Sequence, residues 1–430
     1  VDLLNEININ MKDLIIYRKN ELVVIYNKNL GKHFIMTEEV YNFFEGINGK
    51  GITFHEFINN FEDQEDKKYI KQIIDYLMKL GVFDSNKESY NIQNAISIGQ
   101  SIYICTTKRC NLKCKHCSLS CSGSEIDFLN TDQLKEMINI ISCLKPTNIV
   151  LTGGEPLIRD DFTEIVNYIR QKLGNIYLIL STNGTLIDDT NIDVIVGKID
   201  KVDISIDGVD EETCSITRGK GVFQKAIGAV KKLQEKGFYN IGLSMVFGDK
   251  NMHLSEKFKE LNKTLKTKAV ERYFVPKGRG KENVLQYYSM DTALPMYIPE
   301  NLYRHADLEN KKISSCACNA FKSQISINYD GNIYPCPSLI KEEYNIGSVF
   351  DEEVVTNLKN KNLDKIEAYK RFQEIYPYNF YKCSKCDVNI FCWHCPAILD
   401  SVKEDDKEFN KWCNLMKPIL NKIVWDEEVI

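Results

Sequence analysis

The stretch CNLKCKHC, residues 110–117, places three cysteines in eight positions and then stops. A tetrahedral metal site usually wants four protein ligands. No fourth cysteine follows at metal-ligand spacing, although Cys121 lies four residues on. Three thiolates on a cubane iron–sulfur cluster leave one iron open to a substrate or cofactor, as an open catalytic zinc site is. A structural zinc site, with Cys121 or a distant residue as fourth ligand, is the competing reading.

The surroundings of the loop set the fold. It follows the apolar run IYICTT (102–107), and from there strand-like and helix-like segments alternate. Helix 131–144, strand NIVLT, helix 161–173, strand IYLILS, helix 188–196 and strand KVDISI come in turn. Helix 223–236, strand NIGLSMVF, helix 254–267 and strand VERYFV complete the series. Six strand–helix repeats predict parallel strands with right-handed crossovers. Six are too few for a closed eight-fold barrel, so the expectation is an open, partial one. Chemistry in such sheets sits at the carboxyl ends of the strands. The cysteine loop, GGEP (153–156), TNG (182–184) and DG (207–208) all fall there.

The chain has 430 residues, enough for two or three ordinary domains, and a formal net charge of −5. The lack of a basic surplus argues against a nucleic-acid partner. There is no signal-peptide pattern and no apolar run of membrane-spanning length, so a cytoplasmic protein with no membrane partner is expected. Fifteen cysteines then point to metal or catalysis rather than disulfides. None precedes Cys105, and seven lie between Cys316 and Cys395, followed by Cys413. The segment from Cys316 on shows few convincing long strands or helices and reads as organised by metal.

The three-cysteine loop, the GGEP segment and the partial barrel together resemble the radical S-adenosylmethionine (SAM) enzymes. The resemblance implies Cys110, Cys114 and Cys117 as ligands of a SAM-binding 4Fe–4S cluster. It implies Gly153, Gly154, Glu155 and Pro156 at the methionine amino group, with Glu155 offsetting its charge. Ser181, Asn183, Ser205 and Asp207 match strand ends that line the SAM pocket, and Arg218 a position that meets the SAM carboxylate. His116 matches a position that packs near adenine. Cys143 reads as a core thiol.

The C-terminal pattern, with Cys383-x2-Cys386-x5-Cys392-x2-Cys395, resembles the SPASM extension of these enzymes. That extension binds two auxiliary 4Fe–4S clusters, making three clusters in all. The resemblance implies Cys318, Cys336 and Cys395 at one, and Cys383, Cys386, Cys392 and Cys413 at the other. Cys316 either completes the first or stands by. The family spacing in the last pair is usually three residues, and here it is two. A pair of zinc knuckles would use the same CxxC repeats.

Residues 1–90 read as a small α+β, winged-helix-like domain. LIIYRK, ELVVIYNK and KHFIMT are strands, Thr37 caps a helix, and KKYIKQIIDYLMKLG is an amphipathic helix stopped by Gly81. Its apolar stripe is read as Tyr69, Ile70, Ile73, Ile74, Leu77, Met78 and Leu80. Acids outnumber bases here, against a DNA-binding role. In this company the domain resembles the PqqD-like peptide-recognition element of enzymes that modify ribosomally made peptides. There a leader peptide adds as a strand to the sheet. KHFIMT would be the edge and the last helix the wall; a capping or dimerising domain is the plainer alternative.

The expected division is 1–90 recognition domain, 91–100 linker, 101–275 radical SAM core, 276–315 bridge and 316–430 SPASM domain. The expected function is a peptide maturase that generates a 5′-deoxyadenosyl radical and installs a crosslink. A three-cysteine auxiliary site, able to hold a substrate thiolate, favours a Cys thioether. If Cys316 fills that site, a carbon–carbon or carbon–oxygen crosslink is favoured. The expected partners are a precursor peptide and an electron donor such as flavodoxin or ferredoxin. Two rivals stand: a SPASM enzyme acting on a folded protein, as sulfatase-maturing enzymes do, and a zinc-stabilised binding module.

Overall fold

The computed structural model describes residues 5–83, 98–289 and 313–426. The expected linker and most of the bridge, 91–97 and 290–312, lie outside the described residues. Two compact units are present. One comprises Val1–Ile96, Ile298–Cys318 and Glu374–Ile430; the other comprises Ser97–Tyr297 and Asn319–Gln373. No described helix is long and apolar enough to cross a membrane.

In the first unit, β1 (Leu14–Lys19), β2 (Leu22–Asn27) and β3 (Lys32–Thr37) form an antiparallel meander in the order β1-β2-β3. Three helices follow: α1 (Glu38–Ile47), α2 (Phe54–Asn59) and α3 (Gln64–Lys79). Thr37 caps α1, its side chain accepting from Val40 N. Gly81, at φ +71°, lets the chain leave α3 through the left-handed region. Val23, Ile25 and Met36 point at the helices and pack with Ile70, Ile73, Ile74 and Leu77.

All six residues of β2 are buried, so both sheet faces are covered. The face away from the helices meets residues of the same unit from far along the chain. Tyr26 Oη donates to Cys316 O at 2.6 Å and Tyr17 Oη to Asn389 Oδ1 at 2.7 Å. Lys19 pairs with Asp387 at 2.7 Å. Gly31, at φ +61°, lies so close that a Cβ there would stand 2.4 Å from Ala317 Cα. The small domain therefore grips the segments that carry Cys316, Cys318, Cys386 and Cys392.

His33 belongs to this contact. Its Nδ1 lies 3.0 Å from Ser315 Oγ, and its ring meets Phe391 edge-on at 4.8 Å. Burial lowers its pKa from the ordinary 6.5 to about 4. Its neutral form is thus favoured in the fold, and the associated stability is complete above the unfolded value. It is lost as the pH falls from 6.5 through 4, up to about 3 kcal/mol. Amide-exchange protection factors in 22–37 and 315–318, taken relative to the intrinsic rate at each pH, are expected to fall between pH 7 and pH 4.5. A His33→Gln variant is expected to flatten that response; a profile like the wild type's would contradict the assignment.

The second unit holds an eight-stranded sheet. Strands β4 (Ser101–Cys105), β5 (Asn148–Thr152), β6 (Tyr177–Thr182), β7 (Lys201–Ser205), β8 (Ile241–Phe247) and β9 (Lys268–Tyr273) are all parallel. They stand in the order β4-β5-β6-β7-β8-β9, and two short strands extend the β4 edge. Alternate residues such as Ile102, Ile104, Leu178, Leu180, Val202 and Ile204 are buried. Helices Thr131–Ile141, Phe162–Leu173, Ile192–Lys198, Val222–Glu235 and Ser255–Thr264 supply the crossovers. This is the expected partial barrel, with one helix more than expected, Glu211–Arg218.

The C-terminal third has more regular structure than its sequence suggests. In the second unit, β10 (Gln324–Ile327) pairs parallel with β4 and extends the core sheet, and β11 (Ile333–Tyr334) pairs antiparallel with β10. In the first unit, Asp406–Trp425 is a twenty-residue helix, with Phe409, Trp412, Met416, Leu420 and Val424 on its buried side.

Candidate active site at the cysteine loop

A cavity of about 330 Å³ opens at the carboxyl ends of the parallel strands. Cys110, Cys114 and Cys117 line it together with Gly153, Gly154, Ser181, Asn183, Ser205 and Arg218. The volume lies within the range of small-molecule and cofactor sites. Among the described residues, no three His, Cys, Asp or Glu groups converge to hold a single ion. A zinc ion requires donors converging at about 2.0–2.3 Å. A cubane takes each thiolate on a separate iron. Three thiols lining one cavity are a donor set that fits a cubane, one thiolate to each of three irons.

The loop is held in shape by GGEP. Gly154 N donates to Thr107 O at 2.7 Å and Glu155 N to Arg109 O at 2.9 Å. A Cβ on Gly154 would stand 2.0 Å from Arg109 O, and one on Gly153 2.4 Å from Thr107 O. The close approach that requires glycine is thus to the backbone leading into the cysteine loop.

Glu155 is fully buried. Its carboxylate accepts from Thr182 Oγ1 (2.7 Å), Asn183 N (2.7 Å) and Leu157 N (3.1 Å). Burial raises its pKa, opposed by those donors. The Glu155 carboxylate ties β5 to the end of β6 and sets Asn183, whose Nδ2 donates to Asn111 Oδ1 in the cysteine loop at 2.9 Å. Pro156 starts a buried turn of 3₁₀ helix behind it. Neither Glu155 nor Pro156 is among the residues lining the cavity.

Asp207 also stands behind the wall. At φ +47° it turns inward, and its Oδ1 accepts from Val246 N at 2.7 Å. Its Oδ2 takes Arg218 Nε at 2.7 Å, Arg218 Nη2 at 2.6 Å and His116 Nε2 at 3.0 Å. Burial pushes the Asp207 carboxyl upward, but Arg218 and His116 outweigh it and hold it below the usual range. Arg218 is thus committed to a carboxylate, with Nη1 3.8 Å from Cys114 Sγ. His116 is oriented by Asp207 and meets Tyr287 edge-on at 5.9 Å.

Burial raises Cys110 to about 11. Cys117 moves the other way because Cys121 lies against it and donates to its sulfur, with Cys121 N 3.4 Å from Cys117 Sγ. Sequence reasoning passed over Arg279, Lys277 and Ser244 on the cavity wall. The signal was present in PKGRG (276–280), an arginine between two glycines just after the last core strand.

The C-terminal cysteines divide between the units. Cys383, Cys386, Cys392 and Cys413 share the first unit, where burial raises the Cys383 thiol and the nearby Cys386 and Cys413 add to the rise. Cys316, Cys318 and Cys395 belong to that unit too, and Cys336 to the second. Cys143 is half-buried in the 3₁₀ turn Ser142–Leu144.

The Radical SAM superfamily model matches residues 104–261, and that of the SPASM iron–sulfur cluster-binding domain matches 316–387. The chain carries a radical SAM domain and a SPASM domain. A radical SAM domain is a catalytic one, which makes the chain an enzyme. The AdoMet-dependent heme synthase of Methanosarcina barkeri is 32% identical over 41% of this chain and 51% of its own length. The chain thus spans about half of that relative. The antilisterial bacteriocin subtilosin biosynthesis protein AlbA of Bacillus subtilis is 26% identical over 71% of this chain and 69% of its own. The crystal structure of Streptococcus suis SuiB bound to precursor peptide SuiA superposes with a TM-score of 0.52 at 15% identity, covering 90% of this chain and 94% of SuiB. At that identity the likeness bears on the fold of the radical SAM and SPASM regions alone.

Proposed function

We propose that this protein is a radical SAM maturase of a ribosomally made peptide, forming a crosslink in it, in the first instance a Cys thioether. The observation that carries the catalytic part is the gathering of Cys110, Cys114 and Cys117 around one cavity at the strand ends. Those thiolates would hold a 4Fe–4S cluster, and Ser181, Asn183 and Ser205 would face SAM. Bound there, cluster and SAM supply a 5′-deoxyadenosyl radical able to take a hydrogen atom from the substrate. Glu155, Asp207 and His116 act on the protein: they fix the loop, the strand ends and Arg218. Two auxiliary clusters are proposed on Cys318, Cys336 and Cys395, with or without Cys316, and on Cys383, Cys386, Cys392 and Cys413. A flavodoxin- or ferredoxin-like protein is the proposed electron source. Closing a sulfur–carbon bond removes two hydrogens from the peptide. One goes to 5′-deoxyadenosine, and the other leaves as a proton and an electron, for which the first auxiliary site is the proposed acceptor.

The peptide part is supported by the small domain. Among the described residues β3 pairs only with β2, leaving an edge. On α3 stand Tyr69 and Tyr76, 57% and 55% exposed, and Tyr76 lies within 5.0 Å of Phe34 on β3. Tyr69 is thus not the core residue its periodicity suggests. Exposed aromatics flanking a strand edge suit an extended peptide added as a strand. SuiB bound to a precursor peptide and AlbA in bacteriocin biosynthesis agree with this substrate class. A Tyr69→Ala/Tyr76→Ala variant is expected to bind the precursor about 10- to 100-fold more weakly, the scale of losing aromatic anchors. Its iron content and peptide-independent SAM cleavage are expected to hold. Unchanged affinity by calorimetry would make the domain a cap, not a selector.

A further inference from the structure

The segment just beyond β9 is built around the cysteine loop. Gly278, at φ +50°, passes so close that a Cβ there would stand 2.5 Å from both Cys117 O and Ser118 O. Arg279 N donates to Cys117 O at 3.1 Å, and Arg279 Nε to Cys114 O at 3.0 Å. Asn283 Nδ2 reaches Lys115 O at 3.3 Å and Arg279 O at 2.8 Å. Phe274 and Tyr287 stack behind at 4.3 Å and 6°. One short segment thus satisfies the carbonyls of two of the three proposed ligands.

Arg279 has more donors than these bonds use. Its Nη2 is buried without a hydrogen-bond partner, and Arg279 lines the cavity. A buried guanidinium N–H left unpaired is costly. Arg218, also on the cavity wall, differs: it spends its charge on Asp207. Among the described residues Arg279 has no carboxylate within ion-pairing distance. Among the described residues it is therefore a cation with no carboxylate partner and a spare donor, held against the backbone of Cys114 and Cys117.

We infer that Arg279 is a positioning residue of the cysteine loop whose free guanidinium N–H and positive charge serve the anionic sulfur of the cluster bound there. The inference rests on the radical SAM reading of this site. Hydrogen bonds to the sulfurs and local charge set the potentials of iron–sulfur clusters. The reduced cluster carries one more negative charge than the oxidised one, so an unpaired cation beside it favours reduction. Arg279 thereby makes the electron that starts the reaction easier to deliver.

The test compares the chain with Arg279→Gln and Arg279→Lys variants, each anaerobically reconstituted, by iron analysis and by EPR-monitored redox titration of the SAM-responsive signal. Arg279→Gln is expected to keep its iron but to show a reduced-to-oxidised ratio about tenfold lower at the wild-type midpoint, a shift of about 59 mV for a one-electron couple. Arg279→Lys, which keeps the charge, is expected to recover most of the shift. An unmoved potential in Arg279→Gln would overturn the inference and leave the radical SAM reading intact. Loss of the cluster from both variants would make Arg279 a structural clamp only and also overturn it. A wild-type chain that takes up no SAM-responsive cluster would instead defeat the radical SAM reading itself, and this inference with it.

Discussion

Replacing Cys110, Cys114 and Cys117 together by alanine is expected to abolish 5′-deoxyadenosine formation and to remove about four of about twelve irons. The remaining iron is expected to stay. The three thiols line one cavity in the second unit, whereas Cys383, Cys386, Cys392 and Cys413 share the first. Nothing in the alanine variant should disturb the fold, because Gly154 and Glu155 grip the loop through the carbonyls of Thr107 and Arg109 and not through the thiols. Iron analysis and chromatography of SAM digests under dithionite decide it. Undiminished SAM cleavage by the triple variant would remove these cysteines from the proposed mechanism.

Deleting residues 1–83 is expected to do two things at once: abolish precursor binding and lower the auxiliary iron. The second effect comes from the unit's construction. Leu22, Val24 and Tyr26 are buried, and Tyr26 holds Cys316 O while Lys19 and Tyr17 hold Asp387 and Asn389. Removing the sheet uncovers the cysteine-bearing segments it packs on, at roughly 1.5–3 kcal/mol for each large apolar side chain exposed. The SAM-responsive cluster, in the other unit, is expected to survive. Iron content of the truncated chain against the Tyr69→Ala/Tyr76→Ala variant separates the two roles. A truncated chain with its full iron would show that the sheet is a recognition module only.

The core could be read from sequence because its signals are local. Strand and helix periods alternate from Ile102 onward, and Thr37 and Gly81 mark helix ends by their own chemistry. The cysteine loop could be placed at the strand ends because it directly follows the first core strand. Other features depend on partners distant in sequence. β10 joins the core sheet by pairing with β4, more than two hundred residues earlier, and its four residues are too few for their alternation to mark a strand. The helix Asp406–Trp425 carries a regular apolar stripe but also Pro418, a residue that normally breaks helices. Glu155 looked like a ligand for an ammonium group; its burial and its three donors appear only once β5 and β6 lie side by side. Tyr69 shared a helical period with core residues, yet its position on the rim of that stripe leaves it exposed.

The most direct test of the central claim is mass spectrometry of a precursor peptide incubated anaerobically with the iron-loaded chain, SAM and reductant. The substrate to use is a short Cys-containing peptide, to be sought in the reading frames that neighbour this protein's own. A peptide lighter by two hydrogens, with its cysteine resistant to alkylation and 5′-deoxyadenosine formed in step, is the result predicted. A chain with its clusters in place that cleaves no SAM and returns the peptide unchanged would contradict the claim.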